Sequence, residues 1–370
     1  MCIMASCPSP NWSVFDMDQS QALQAAVQEA HARSRPLTIR GGGTKAFYGR
    51  QTPECDLLEL SGHQGIVDYA PNELFITLRA GTPLQVLEAQ LAEAGQMLPF
   101  EPPYFGPAAT IGGTLACGFS GPRRPYAGSA RDAVLGMRIL NGQGEILRFG
   151  GQVMKNVAGY DVSRLMVGAL GTLGVLLEVT LKVLPRPTHS LTLRQSAAPA
   201  AAIQRMNHWA GQPLPLSATA YDGEHLYVRL SGTGSAVQAA QARLGGERLA
   251  DAEAASFWDD WREQRHVFFQ GDAPLWRLAV APATPPLPLP GQTLIEWGGG
   301  QRWLRGRRDA TAVQRLAAQH GGHGTLFRGG ERGGEVFHPL APPLLAVQQR
   351  LKAAFDPHTL LNPGRMFAAL

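Results

Sequence analysis

Three glycine-rich segments in the first half of the chain have the residue types needed to hold a phosphate group. They are RGGGTK at 40–45, TIGGTLACGFSG at 110–121 and GALGTLG at 168–174. Glycine permits tight or left-handed turns and lets main-chain amides approach a ligand with no side chain between them. We therefore expect the three segments to form a cradle for a cofactor that carries a pyrophosphate.

The second segment adds a helix terminus to this cradle, because the Thr110 hydroxyl can cap a short helix whose first amides would face an anion. The better-known nucleotide motifs are not found. Lys45 is followed by Ala46, which breaks the Walker A spacing, and no G-x-G-x-x-G opens a helix in a strand-helix-strand unit. The sequence thus requires a dinucleotide fold other than the Rossmann type.

Composition limits the classes of function. The chain has 370 residues, 44% of them hydrophobic, which indicates about two domains with substantial cores. Its net charge is +4, and the basic residues are scattered apart from short clusters at 123–124 and 302–308. Nucleic acid is therefore not indicated as a partner, and the two clusters are equally consistent with solvated faces.

The cysteines and the N-terminal segment restrict the cofactors and the location. The four cysteines have neither C-x-x-C spacing nor a ferredoxin-like run, so we expect no zinc site and no iron–sulfur cluster: Cys2, Cys7, Cys55 and Cys117. The first residues lack a basic leader, and no apolar run reaches about 18 residues. We expect a cytoplasmic protein without direct membrane insertion.

Hydrophobic periodicity and turn residues predict the elements that position these segments. In the first part we expect a helix at 21–32 and strands at 37–39, 57–60, 65–70 and 74–81. A helix follows, capped by Thr82, with Pro83 at its first position and Gly95 at its end. We then expect two strands joined by a turn within 132–151, and a helix, a glycine turn and a long buried strand within 161–185. We expect the first domain, residues 1–187, to end at Pro185 and Pro187.

The pattern changes after residue 187. We expect a helix at 197–208, a strand pair at 216–223 and 225–232, a helix at 235–244, and strands in WRLAVAP and TLIEWGG. This order fits an antiparallel sheet with helices on one face, forming a cap domain at 188–342. A last helix at 343–355 begins a C-terminal segment, 343–370, whose proline turns indicate that it returns to the first domain.

Together, the ordered segments resemble the FAD-binding type shared by vanillyl-alcohol oxidase, p-cresol methylhydroxylase and the D-2-hydroxyacid dehydrogenases, over roughly residues 10–187. KNVAGYD at 155–161 and FDPHTLLNPGRM at 355–366 are also similar to segments of that family. The resemblance implies an α+β fold, with a two-part FAD-binding domain of this type and a smaller antiparallel α+β cap domain. It implies that FAD contacts Arg40, Gly41, Gly42, Gly43, Thr44, Lys45, Thr110, Ile111, Gly112, Gly113, Ser120, Gly121, Arg123, Gly171, Thr172, Gly174, Val175 and Asn362.

Within this family, RGGGTKAFYG and the stretch at 122–145 most resemble the FAD-binding E subunits of bacterial glycolate oxidase complexes. The resemblance extends over most of the chain. It implies an oxidoreductase subunit that works with a second FAD subunit and an iron–sulfur subunit, oxidises glycolate or a related D-2-hydroxyacid, and passes electrons to the respiratory chain. Any membrane association, at the inner face, would come through these partners.

Departures from the wider family limit what the resemblance implies. Some relatives attach FAD through a histidine in the first glycine loop, whereas this chain has Thr44 and Lys45, which predicts noncovalent FAD. Cys117 lies in the second cradle, where a buried thiol is a simpler interpretation than a covalent anchor. The metal-binding histidine set of the related dehydrogenases is not found, and the pair His320 and His323 lacks a suitable carboxylate, so no metal is expected.

Oxidation of a hydroxyacid needs a cation for the carboxylate and a base for the hydroxyl proton. Arg277, His323 and Arg328 are candidates, although the favoured interpretation of each is a surface arginine or a satisfied loop histidine. Tyr160 and Asp161 lie in a segment that resembles one near the flavin, and Asp161 can instead cap the following helix. Catalytic residues are therefore not assigned.

Three functions remain open at this stage. The chain is a catalytic flavoprotein subunit of a glycolate-oxidising complex, a noncatalytic FAD-bearing assembly subunit, or a self-contained flavin oxidase of a sugar or alcohol. The missing histidine set favours the second. Reaction with oxygen would separate the third from the other two.

Overall fold

The computed structural model describes residues 17–151 and 160–370. Its first half begins with two helices and five strands. These elements are α1 (Ser20–Arg33), β1 (Leu37–Arg40), β2 (Asp56–Glu59), β3 (Ile66–Ala70), β4 (Phe75–Arg79), α2 (Leu84–Glu93) and β5 (Gln96–Met97). They are followed by α3 (Ile111–Cys117), α4 (Arg124–Ala127), α5 (Ala130–Ala133), β6 (Val134–Leu140), β7 (Ile146–Gly150), α6 (Val162–Leu165), β8 (Val175–Lys182) and β9 (Leu184–Pro185).

The central layer of this half is an antiparallel five-stranded sheet in the order β3-β4-β8-β6-β7. Strand β8 lies in the middle, and all its residues except Lys182 are buried, as expected for a long apolar strand that is covered on both faces. Glu178 in this strand is paired with Arg79 at 3.0 Å and Arg138 at 2.8 Å. Strands β1 and β2 form a separate parallel pair, which leads into the first glycine segment.

The second half is built on an antiparallel eight-stranded sheet. Its elements are β10 (His189–Ser196), α7 (Pro199–Ala210), β11 (Leu216–Tyr221), β12 (His225–Gly232), α8 (Gly234–Leu244), β13 (Glu247–Arg248), α9 (Asp251–Arg262), β14 (Leu275–Ala279), β15 (Thr293–Glu296), β16 (Gln301–Arg305), α10 (Ala310–Gln319) and β17 (His323–Arg328). The strand order is β13-β10-β12-β11-β15-β16-β14-β17. The last helix is α11 (Pro342–Phe355). Short 3-10 helices occur at Pro71–Glu73, Val267–Phe269 and Trp297–Gly299.

The two faces of the large sheet have different partners. Apolar side chains of α7, α8 and α10 pack on one face. Helix α9 packs on the other face, where Trp258 and Trp261 join a cluster that also contains Tyr48 and Phe119 of the first half. The expectation that the helices lie on one face is therefore wrong for α9, because its aromatic side chains fill the space between the large sheet and the first half of the chain.

Most predicted elements are present within a few residues of their expected ends, and the α+β fold class is confirmed by the antiparallel sheets and by the comparisons given below. Thr82 is an exception, because the residue that caps α2 is Pro83. The Thr82 hydroxyl instead donates to the Gly65 carbonyl at 3.2 Å and accepts from the Gly65 amide at 3.0 Å. Strands β16 and β17 and helices α9 and α10 were not among the predicted elements.

The chain's last residues contact the first half. Leu361 forms a parallel bridge with Leu37 at the start of β1, and the Leu37 amide donates to the Leu360 carbonyl at 2.7 Å. The Lys352 ammonium is buried and donates to Asp356 at 2.7 Å and to the Thr172 carbonyl at 2.7 Å. In the part of the chain that the structure describes, no helix has both the length and the apolar character needed to cross a membrane.

Candidate flavin site

The glycine segments meet around one cavity, whose empty volume is about 1060 Å³ including its open mouth. The first segment follows β1, the second forms α3, and the third forms the turn before β8. These elements bring together twelve of the residues for which FAD contact is expected: Arg40, Gly41, Gly42, Gly43, Thr44, Lys45, Thr110, Gly112, Gly113, Gly171, Gly174 and Asn362.

The first glycine loop is packed too closely for side chains. A Cβ atom on Gly42 would lie 1.5 Å from the Ala108 carbonyl oxygen, and one on Gly41 would lie 2.5 Å from the Thr110 hydroxyl. Gly43 has a φ of 70°, a conformation that other residues rarely adopt. The main chain of this loop therefore lines the cavity directly, which suits the close approach of a pyrophosphate.

The second segment joins the first at the base of the cavity. Thr110 caps α3, as expected, and its hydroxyl accepts from the Gly113 amide at 3.2 Å. Gly112 approaches Ala80 of the central sheet so closely that a Cβ atom would lie 2.7 Å from the Ala80 Cβ atom. The helix is thus held tightly against the sheet, with its first residues at the cavity wall.

Asn362 of the C-terminal segment joins two walls of the cavity. Its side-chain oxygen accepts from the Ile39 amide at 2.8 Å, and its side-chain nitrogen donates to the Leu170 carbonyl at 2.7 Å. Ile39 precedes the first glycine loop and Leu170 precedes Gly171 of the third. This one side chain therefore fixes the separation of the two loops.

Charged groups at the cavity wall favour an anion. Lys45 is 7% exposed, and its ammonium donates to the Tyr104 carbonyl at 3.0 Å and to the Thr44 hydroxyl at 3.3 Å. Burial lowers the pKa of Lys45 to about 8, although Cys117 and Glu263 oppose the shift. Arg365 also lines the cavity, with its guanidinium donating to the carbonyls of Ala46, Tyr48 and Arg50.

Cys117 lines the same cavity as a free thiol. Burial raises the pKa of this thiol to about 11, and the nearby Lys45, Arg365 and Arg277 only partly offset that effect. A thiol with this pKa is protonated near neutral pH and is a weak nucleophile. Its state agrees with the interpretation of Cys117 as a buried wall residue.

Six residues expected to contact FAD do not line this cavity. Ile111 and Val175 have side chains in the core, and the Thr172 hydroxyl donates to the Ala169 carbonyl at 2.7 Å. The Ser120 hydroxyl accepts from the Ala130 amide at 2.9 Å, and Ser120 and Gly121 line a small neighbouring cavity. Arg123 donates to Glu101 at 3.1 Å. These residues are held in the core or by hydrogen bonds to other parts of the protein, or they line the neighbouring cavity, so they do not form the wall of the flavin cavity.

The residues considered for substrate binding lie on the adjacent strands β14 and β17 of the cap. Arg277 on β14 lines the small neighbouring cavity, and its guanidinium donates to the Tyr48 hydroxyl at 3.0 Å. His323 pairs with Ala279 on the sheet and is exposed. Arg328 donates to the Phe269 carbonyl at 3.2 Å. Arg277 is therefore the candidate that the fold brings beside the flavin cavity.

The segment 155–161 is only partly described, since 155–159 lie outside the described residues. Tyr160 is 99% exposed, and Asp161 caps α6 by accepting from the Arg164 amide at 3.0 Å. Asp161 thus has the helix-capping role that was the alternative to a flavin contact. Across residues 17–151 and 160–370, no group of three or more His, Cys, Asp or Glu residues is arranged to hold a metal ion.

Among the cavity-lining residues that were not identified from sequence, two have side chains that can bind a ligand through a phenol or a guanidinium. They are Tyr48 and Arg365, which belong to the segments RGGGTKAFYG and NPGRM. Burial raises the pKa of the Tyr48 phenol, whereas the charge of Arg277 opposes that rise. Their positions in the sequence could have indicated them, since both residues lie within four positions of an expected FAD contact.

An aromatic cluster separates the cavity from the cap sheet. Tyr48 packs on Phe119 and Phe327, with ring centroids 4.7 and 5.4 Å apart, and Phe327 packs on Trp303 at 4.9 Å. The edge-to-face and tilted arrangements are those that aromatic pairs prefer. The cap therefore covers the flavin cavity with packed rings.

Comparisons with known proteins agree with this geometry. Residues 13–150 match the family model described as FAD binding domain. A solved alkyldihydroxyacetonephosphate synthase shares the fold with a TM-score of 0.66, 15% identity, and coverage of 94% of this chain and 76% of that one. The glycine cradle and the cations of the wall fit the pyrophosphate of FAD, so fold and site define an FAD-dependent oxidoreductase.

The chain is 48% identical to glycolate oxidase subunit GlcE of Escherichia coli K12, over 96% of this chain and 99% of that one. It belongs to the glycolate oxidase subunit GlcE family. It is also 33% identical to glycolate oxidase subunit GlcD of Bacillus subtilis, over 43% of this chain and 34% of the relative. The similarity to that second protein is thus confined to about a third of its length.

Proposed function

We propose that this chain is the FAD-bearing subunit of a complex that oxidises glycolate or a related D-2-hydroxyacid, acting on its CH–OH group. The observation that carries the proposal is the cavity, where three glycine segments and Asn362 enclose a space that is also lined by the cationic residues Arg40, Lys45 and Arg365. The 48% identity to glycolate oxidase subunit GlcE over nearly the whole of both chains supports the substrate class.

The proposed FAD contacts are the twelve expected residues that line the cavity, together with Tyr48 and Arg365. When bound, FAD accepts a hydride from the substrate. The binding is noncovalent, because Thr44 stands where a histidine anchor would be needed and Cys117 is held as a protonated thiol. We assign the cavity-lining amides to the pyrophosphate and leave the orientation of the flavin ring open.

The proposal extends to partners. The electrons leave the flavin toward an iron–sulfur subunit, and a second FAD subunit completes the complex. Support comes from the cysteines, which have no spacing for a cluster in this chain, and from the similarity to both GlcE and GlcD. The complex is placed at the inner face of the membrane through those partners.

If substrate is oxidised on this chain, Arg277 binds its carboxylate. The guanidinium is half-buried beside Tyr48, to whose hydroxyl it donates at 3.0 Å. His323 lies diagonally across the same sheet face and can take the hydroxyl proton. Tyr48 orients Arg277 and lines the flavin cavity, so the phenol connects the two sites.

A second candidate function is that of a noncatalytic FAD-bearing subunit. The observation that favours it is the wall of the cavity, which contains no His, Asp or Glu in the described part of the chain. The packed rings of Tyr48, Phe119 and Phe327 also cover the side that faces the cap. In this case the substrate is oxidised on the partner flavoprotein.

The test is an anaerobic glycolate titration of the FAD-loaded chain, followed by flavin absorbance, with Arg277→Met and the control Arg328→Met. Bleaching in the wild type and in the control but not in Arg277→Met would place oxidation on this chain. Bleaching that requires the partner flavoprotein would support the noncatalytic function. A chain that binds no FAD would contradict both.

A further inference from the structure

A loop of the FAD-binding half lies between the flavin cavity and the cap. It comprises residues 101–105, EPPYF, and we call it the EPPYF loop. The Tyr104 carbonyl in this loop accepts from the Lys45 ammonium at 3.0 Å and from the Thr44 hydroxyl at 2.9 Å. Two side chains of the cavity wall are therefore held by a single main-chain oxygen.

The EPPYF loop has an unfavourable backbone at both ends. Glu101 has a φ of 44° and Phe105 a φ of 54°, and neither residue is one that adopts the left-handed region readily. Such conformations persist only where the surroundings fix them. The contacts around the loop must therefore stabilise this backbone conformation, because the residues of the loop do not favour it themselves.

Both ends of the loop are fixed by residues of the cap. The Arg229 guanidinium, on β12, donates to the two Glu101 oxygens at 2.8 and 2.7 Å. The Glu263 carboxylate accepts from the Tyr104 amide at 3.1 Å through each oxygen and from the Phe105 amide at 2.9 Å. The cap thus reaches the flavin cavity through this loop.

Glu263 occupies a position where a carboxylate is costly. It is the residue that ends α9, where the helix dipole is negative, and its side chain is only 8% exposed. The Arg262 guanidinium at 2.9 Å and the two loop amides compensate its charge. A neutral residue would serve the helix end better, so the carboxylate is explained by the loop.

We infer that Glu263 is a positioning residue for the cofactor, acting through the EPPYF loop on Thr44 and Lys45. The inference rests on the proposed binding of FAD in the cavity. Glu263 does not line the cavity, so it acts only through other residues.

Glu263 also acts on Lys45 through charge. Burial lowers the pKa of Lys45 to about 8. The groups that face it are the Cys117 thiol of α3 and the Glu263 carboxylate at the end of α9, and of these only Glu263 is charged near pH 8 and opposes the shift. FAD is an anion, so its affinity falls as pH rises and the Lys45 ammonium loses its proton. Without the Glu263 carboxylate, this fall occurs at lower pH.

The experiment measures FAD affinity by the quenching of flavin fluorescence from about pH 6 to about pH 10. Glu263→Gln removes the charge, and Glu263→Asp keeps the charge but shortens its reach. Glu253→Gln is the matched control, because Glu253 lies on the same helix, is 56% exposed and makes no contact with the loop among the described residues.

For Glu263→Gln we expect affinity about tenfold weaker, as for other residues that support a binding group, with the midpoint of the fall shifted to lower pH. Glu263→Asp weakens affinity but keeps the midpoint, and Glu253→Gln behaves as the wild type. Circular dichroism establishes that each variant is folded. If Glu263→Gln is unfolded, the inference is tested by Glu263→Asp, which should be folded and bind FAD more weakly than the wild type.

Wild-type affinity and an unshifted midpoint in Glu263→Gln would overturn the inference. A wild-type chain that binds no FAD at any pH would instead overturn the proposed function. The two failures are therefore distinguishable in the same titrations.

Discussion

At the scale of residues, Lys45 shows how a binding group is placed at a cost to folding. Its ammonium is buried against the Tyr104 carbonyl, and its nearest charged groups do not neutralise it. A cation in such a place favours an anionic ligand and disfavours the empty folded chain. The same side chain therefore has opposite effects on cofactor binding and on apoprotein stability.

This opposition gives a prediction for Lys45→Met. The pKa of Lys45 is lowered from 10.5 to about 8 in the folded chain, so the unfolded chain binds more protons between these values. The free energy of unfolding of the apoprotein therefore rises with pH across that window and carries a penalty of about 3 kcal/mol below it. Lys45→Met removes the penalty, so the apoprotein becomes more stable at pH 7 while FAD affinity falls.

Urea denaturation of the apoprotein at pH 7 and at about pH 10 measures the effect. The difference in the free energy of unfolding between Lys45→Met and the wild type should be smaller at the higher pH. Lys182→Met, at the half-buried end of β8, is the control and should show neither change. A Lys45→Met apoprotein less stable than the wild type at pH 7 would contradict the argument.

At the scale of elements, the cavity depends on how the C-terminal segment is held. Lys352 on α11 donates to the Thr172 and Leu361 carbonyls and to Asp356, whose carboxylate accepts from the Leu360 and Leu361 amides. These bonds place Asn362 between the first and third glycine loops. The C-terminal segment thus fixes the distance between the first and third glycine loops.

We therefore predict that Asn362→Gly weakens FAD binding. Asn362 has a φ of 43°, which glycine accepts, so the variant removes the side chain without new backbone strain. The Ile39 amide and Leu170 carbonyl lose their partner, at about 1–3 kcal/mol for each buried group left unpaired. Thermal unfolding should show a lower melting temperature, and FAD titration should show a weaker affinity.

Asn207→Ala is the control, since the Asn207 amide donates to three carbonyls in the cap, away from the cavity. It should lower thermal stability and leave FAD affinity unchanged. Equal FAD affinity in Asn362→Gly and the wild type would show that the loops keep their separation without this residue.

The elements also show what could be predicted from sequence. Glycine spacing and the Thr110 cap identified the cradle, because these signals are local. Helix α9 and strand β16 were not predicted, since their pattern depends on aromatic side chains that pack between the two halves. Thr82 failed as a cap because Gly65, distant in sequence, binds its hydroxyl. In these cases, contacts between residues distant in sequence decided the structure, and the local sequence pattern did not.

At the scale of the whole molecule, the two halves are joined by contacts of different kinds. Aromatic rings of both halves share one cluster, and Glu101 lies between Arg123 of the first half and Arg229 of the cap. Burial alone would raise the pKa of Glu101, but Arg229 and Arg123 outweigh it and hold that pKa below its ordinary value. The ionised carboxylate therefore depends on both halves being in contact.

We predict that Arg229→Met destabilises the junction between the halves. The variant leaves the buried Glu101 carboxylate with Arg123 alone, and breaking a buried pair in this way costs about 3 kcal/mol. Differential scanning calorimetry should show a lower melting temperature and a transition that broadens or divides, because the cap loses its ionic contact with the EPPYF loop. Arg194→Met is the control, since its pair with Glu247 at 2.7 Å is largely exposed and screened by solvent, and its loss should leave the melting temperature nearly unchanged. If both variants melt as the wild type does, the Glu101 pair adds nothing to the cooperativity of the two halves.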